Sequence, residues 1–143
     1  MRSVHFSLLL TLLLVGCSGG PADDFAGHWV VDRQATLQTM RESPEWDQLN
    51  EQQRAFYNKQ LPGVMEAMRL EITPDIITYT TGDQQTAFAC ETVEIARGRW
   101  LIDAKVHGVP SRLTLTLDEA GRLRLKSDRS VELDYYRWRR VEP

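Results

Sequence analysis

Few residues in this chain could do chemistry. Its two cysteines, Cys17 and Cys90, and three histidines, His5, His28 and His107, are scattered over 143 residues. A metal centre needs converging Cys, His, Asp or Glu donors, and no His-x-His or Cys-x-x-Cys spacing gathers them. The sequence therefore points to no metal and no cofactor. Ser111 and His107 could pair as hydroxyl and imidazole, but Ser111 is not framed by the Gly-x-Ser-x-Gly turn that presents a nucleophilic serine. Glu91 and Glu94 could act as acid and base only if both lined one cavity. Gly-rich phosphate loops are missing too. We read the chain as non-catalytic. Cys90, in Ala87-Phe88-Ala89-Cys90, reads as a small buried hydrophobe rather than a reactive thiol.

Cys17 carries a different chemistry. It follows Leu14-Val15-Gly16, which closes an apolar run from Phe6 to Val15 behind Arg2. A basic start, a short apolar core and small residues describe a bacterial export signal. With Cys directly after the cut, the pattern resembles the lipobox of bacterial lipoproteins. That resemblance implies cleavage before Cys17, a thioether-linked diacylglycerol on its sulfur, and usually a third acyl chain such as palmitate on its new amine. The apolar run is shorter than the roughly 20 residues that span a bilayer. Two or more acyl chains would instead hold the protein stably at a membrane. Ser18, rather than Asp, follows Cys17, which in enteric lipoproteins goes with outer-membrane delivery and a domain facing the periplasm.

These signals divide the chain into a signal peptide at 1–16, a lipidated flexible tether at 17–24 and one domain at 25–143. The tether reads Ser18-Gly19-Gly20-Pro21-Ala22-Asp23-Asp24, without an apolar anchor. The formal net charge is −3, and cleavage would remove Arg2 and no acid. That balance argues against nucleic acid as a partner. With Cys17 acylated, Cys90 has no partner for an internal disulfide, so the domain must be stable without one.

Periodicity within 25–143 is mostly two. Gly27 to Asp32 reads as a first strand, with Trp29 and Val31 on one face. A helical insertion over 35–68 follows. Ala35–Glu42 makes two turns; then Ser43 caps a helix with Pro44 at its first position. Trp46, Leu49, Phe56, Tyr57 and Leu61 follow helical spacing, with Gln53 interrupting the stripe and Pro62-Gly63 ending or kinking it. Beyond Met68, alternating strands are separated by turns at Pro74-Asp75, Gly82-Asp83, Arg97-Gly98, Gly108 to Pro110 and Ala120-Gly121. The apolar parity slips between Phe88/Cys90 and Val93/Ile95, which predicts a β-bulge near Glu91-Thr92. A last strand is expected from Leu133 to Val141. One apolar and one polar face per strand marks antiparallel sheet. The expected fold is α+β, mainly β: an eight-strand antiparallel meander curled into a barrel, with the insertion after strand one covering or plugging one end.

Gly27-His28-Trp29 at the head of the first strand resembles the Gly-x-Trp signature of the lipocalins. The resemblance implies a lipocalin-like barrel that binds a small apolar molecule, and a basic residue of the last strand packed across Trp29. Arg137, Arg139 and Arg140 are all candidates, and Arg137 is taken with Gly27 and Trp29 as the structural signature. The insertion near the N-terminus departs from the family, whose main helix lies near the C-terminus.

Tyr79, Phe88, Trp100 and Ile102 are the expected ligand-binding residues, lining the mouth of the barrel. Arg112, Arg122, Arg124 and Lys126 could form a basic stripe, though a solvated face with acids nearby is the reading we favour. Tyr135, Tyr136 and Trp138 with their neighbouring arginines read as closing the sheet. The expected function is an envelope lipoprotein, membrane-bound through Cys17, that holds a small apolar or amphipathic ligand. The alternative is an envelope interaction or assembly protein whose insertion docks a partner. A lumen filled by the helix would favour the alternative.

Overall fold

The computed structural model describes residues 21–130 and 132–142. Cys17, its signal peptide and the first part of the expected tether lie outside them. Eight antiparallel strands, β1 (Gly27–Val31), β2 (Met68–Ile72), β3 (Ile76–Thr81), β4 (Gln84–Ala96), β5 (Arg99–Val106), β6 (Val109–Leu117), β7 (Leu123–Ser127) and β8 (Arg137–Arg140), form a meander. The sheet closes where β8 pairs with β1, Trp29 opposite Arg140 and Val31 opposite Trp138. Closure removes the exposed edges that an open sheet would carry.

Neighbouring rows show the stagger. One runs from Val30 through Arg69 and Thr80 to Gln85, near the start of β4. The other runs from Val31 through Trp138 and Leu123 to Leu117, whose amide bonds the Gly98 carbonyl just past the end of β4. The sheet thus slips by most of the length of β4 in closing, and stagger sets barrel width. Large side chains fill that width. Trp29, Trp100 and Trp138 are each at most 1% exposed and are joined by Leu70, Ile72, Ile77, Ile102, Leu113, Leu115, Leu123 and Leu125.

Both ends are covered. Four helices connect β1 to β2: α1 (Arg33–Arg41), α2 (Pro44–Gln48), α3 (Glu51–Lys59) and α4 (Leu61–Glu66). Leu61 and Met65 of α4 are buried with Met68 in the core. At the opposite end, a 3-10 turn at Pro21–Asp24, inside the expected tether, leads into buried Phe25. The Phe25 ring lies 5.9 Å from that of Trp100, and its carbonyl accepts a 2.9 Å bond from Trp29 Nε1.

The insertion is four short helices, where the sequence suggested a broken pair. Gln53, which seemed to interrupt a stripe, is the third residue of α3 and makes a reciprocal capping box with Asn50. Asn50 thereby starts a new helix, which is why the stripe restarts there. Pro62 likewise opens α4, where a missing N–H costs nothing. Ser43 does precede α2, but its hydroxyl donates to the Met40 carbonyl instead of capping. α1 is tied to β8 by Thr36, which is fully buried: its Oγ1 accepts from the Arg137 amide at 2.9 Å.

The bulge falls between Thr92 and Glu94, one residue beyond the expected place. Val93 is the additional residue and is exposed. Thr92 is left facing Trp100, whose Nε1 donates to its hydroxyl at 3.0 Å. The expected strand from Leu133 is shorter: Glu132–Tyr135 forms a 3-10 turn before β8.

Candidate functional site

The four expected ligand-binding residues all lie on the inner wall, in two different settings. Trp100 and Ile102 are fully buried, whereas Tyr79 and Phe88 are half-buried and pack against the same core. Tyr79 meets Trp138 edge-on, with ring centroids 6.4 Å apart. Cys90, two residues beyond Phe88, is also half-buried, and burial pushes its thiol up to about 11. A thiol so disfavoured as thiolate is a poor nucleophile.

Two polar atoms inside this wall have no hydrogen-bond partner among the described residues: Trp138 Nε1 and Thr81 Oγ1. Buried donors are nearly always satisfied. Neither residue could be singled out from sequence, because its type does not reveal its neighbours.

Three depressions mark the surface. One, about 610 Å³, is lined by Cys90, Ala104 and Ser111 of the inner wall and by charged residues including Glu91, Asp103, Lys105, Arg112, Asp128 and Arg129. Glu91, Asp103 and Arg112 are consecutive partners across β4, β5 and β6 and are exposed. A second, about 440 Å³, is lined by His28, Val30, Arg69, Glu71, Thr78, Thr80 and Arg139, on the outer face of β8, β1, β2 and β3. A third, about 80 Å³, lies among Met40, Trp46, Leu49, Tyr57 and Tyr135. Tyr79, Phe88, Trp100 and Ile102 line none of the three.

The cation over Trp29 is Arg140, its guanidinium carbon 4.7 Å from the ring centroid. This corrects the expectation of Arg137. The register explains it: Trp29 pairs directly with Arg140, so both side chains leave the same face. Arg137 instead donates to the carbonyls of Asp134 and Tyr136. Gly27 has φ +133, a conformation closed to most L side chains, and an added Cβ would lie 3.8 Å from an Arg140 nitrogen.

The basic stripe is largely neutralised. Arg112 forks onto Asp103 at 2.8 and 2.9 Å. Arg122 pairs with Asp118 at 2.8 Å and Arg124 with Asp134 at 2.6 Å. Those hydrogen bonds hold the Asp103 and Asp134 carboxyls below their ordinary range. Glu91 and Glu94 straddle the bulge and are exposed, and Glu94 pairs with Arg99. His107 and Gly108 both have positive φ, which makes the two-residue turn between β5 and β6. Ser111 is buried beyond that turn, and its hydroxyl donates to the Val109 carbonyl.

No family model, curated protein or solved structure matches this chain.

The helical insertion presents a different surface. Neither α2 nor α3 contributes a buried residue. Their aromatic residues stack on one another: Phe56 meets Tyr57 edge-on at 5.7 Å, and Trp46 lies 6.3 Å from Tyr57. Phe56 is 51% exposed. Tyr135 holds this layer to the barrel through hydrogen bonds with Glu45 and Ser43. A backbone hydrogen bond and the one from Tyr135 lower the Glu45 carboxyl.

Proposed function

We propose that this chain is a non-catalytic, lipid-anchored protein of a bacterial envelope that docks a partner protein on its helical insertion. The barrel is lipocalin-like in its closed eight-strand meander and in the Gly27, Trp29 and Arg140 cluster at the meeting of its first and last strands. The lipobox-like run before Cys17 supplies the address.

One observation carries the choice of partner over small ligand. The inner wall is packed by three tryptophans, with Phe25 at one end and Leu61 and Met65 at the other. Neither α2 nor α3 contributes a fully buried residue, and their aromatic layer, in which Tyr57 rests on the core edge, leaves Phe56 half exposed. An aromatic layer that is only partly covered by its own domain has an apolar face to offer another. A photoreactive amino acid at position 56 tests this in living cells. A discrete cross-linked product, lost when Trp46 and Tyr57 are changed to Ser, is expected. Absence of any product from position 56 contradicts the reading.

A second reading has its own observation. The unpartnered Trp138 Nε1 and Thr81 Oγ1, beside half-buried Tyr79 and Phe88, favour a small amphipathic ligand whose acceptor atom enters the barrel. If so, a ligand should co-purify with the protein and be lost from Trp138→Phe.

A further inference from the structure

The outer face of β8, β1, β2 and β3 carries two exposed arginines, Arg69 on β2 and Arg139 on β8. Across the ladder, Arg139, Val30, Arg69 and Thr80 form one row, and His28, Glu71 and Thr78 form the next. These residues line the 440 Å³ depression. Among the described residues, neither Arg139 nor Arg69 forms an ion pair, in contrast to Arg112, Arg122 and Arg124. Arg69 uses one nitrogen, Nη1, on the carbonyls of Glu66 and Met68, which steadies the side chain and leaves other donors unused. Glu71 is the only acid lining the depression.

The chain's own anchor says what meets this face. Cys17 stands four residues before Pro21, a span of at most about 14 Å. The Pro21–Asp24 turn is held against β8, since Arg140 donates to the Asp24 carbonyl. Val141, just past β8, donates to the His28 carbonyl at 2.8 Å. A lipid on Cys17 would therefore lie within reach of the end of the wall that carries His28 and Arg139. We propose that this wall lies on the membrane, with Arg69 and Arg139 taking the phosphates of anionic phospholipid and Thr78 and Thr80 offering hydroxyls beside them. The inference rests on the lipidation of Cys17. An anionic surface favours each basic side chain by about five-fold, so two arginines suffice to orient a domain already anchored.

The protein supplies its own reporters. After cleavage its histidines are His28, in the wall, and His107, in the β5–β6 turn. The acylated protein is added to vesicles of phosphatidylcholine, or of phosphatidylcholine and phosphatidylglycerol in equal parts, and treated with diethyl pyrocarbonate. Mass spectrometry then reads both histidines and the acyl chains on Cys17. We expect His28 labelling to fall several-fold in the anionic vesicles while His107 is unchanged, and Arg69→Gln with Arg139→Gln to restore it. A melting curve checks that the double variant folds, and Arg139→Gln alone, at an exposed position, serves if it does not. Equal His28 labelling in both vesicles, with acyl chains present, overturns the orientation. Protection of His28 by inorganic phosphate in the neutral vesicles overturns it in favour of a site for the ion. Absence of acyl mass overturns the anchor itself, and the orientation with it.

Discussion

Arg140 and Trp29 face each other across the β8–β1 ladder, and the guanidinium covers the indole at the end of the barrel where the chain enters. The same guanidinium reaches the Asp24 carbonyl, and Trp29 Nε1 reaches the Phe25 carbonyl. One pair thus joins the last strand, the first strand and the turn before it. Trp29→Ala should cost about 3–5 kcal/mol, as for a large buried aromatic. Arg140→Met should cost about 0.5–1 kcal/mol, because the cation is exposed. Urea denaturation measures both. Equal losses would show that the pair acts as one unit rather than as a core residue with a cover.

Gly27 precedes that pair at φ +133. Gly27→Ala should destabilise by about 1–3 kcal/mol from backbone strain. A melting temperature equal to wild type would show that the chain can enter β1 by another path.

Thr36 joins α1 to β8 through the Arg137 amide. Thr36→Val keeps the volume and removes the acceptor, leaving a buried N–H at a cost of about 1–3 kcal/mol. Hydrogen exchange at the Arg137 amide should quicken in the variant. Unchanged exchange would mean that another group holds it.

Much of this barrel was legible in the sequence, and the reasons are local. Alternation in Met68 to Ile72, Trp100 to Val106 and Leu113 to Leu117 comes from strands with one wall in the core and one in water. The parity slip exposed the bulge because one additional residue, Val93, must turn every later side chain over. Closure was expected only in general terms, since pairing of β8 with β1 joins the two ends of the chain. The same distance hid Arg140. Three arginines lie within four residues, and register alone selects the one over Trp29. Trp100 and Ile102 seemed fit for a pocket because an inner apolar face looks alike whether it meets ligand or core. Phe25 and α4, remote in sequence, decide that these two meet core.

Acid should weaken the fold. Hydrogen bonds from Arg112 and Arg124 hold Asp103 and Asp134 below their ordinary range. A carboxyl whose folded pKa lies below its unfolded value, about 3.9, leaves the folded state with fewer protons. Its contribution is complete above that value and is lost as pH falls through the folded pKa. Urea midpoints should therefore drop below about pH 4, and less steeply in Asp134→Asn. An equally steep acid limb in the variant would remove Asp134 from the explanation.

Cys90 should be slow to react. Its thiol is pushed up to about 11 by burial, so its thiolate fraction near pH 8 should be about 100-fold below that of an ordinary thiol. Alkylation in buffer and in urea gives the comparison. Equal rates would show that Cys90 is open to solvent.

The central claim is that the barrel is a filled scaffold whose surfaces do the work. The most direct test is native mass spectrometry of the protein purified gently from membranes. The mass should equal that of the polypeptide with its covalent acyl chains and nothing more. A further small molecule that survives purification, and is lost from Trp138→Phe, would contradict the claim and place the function inside the barrel.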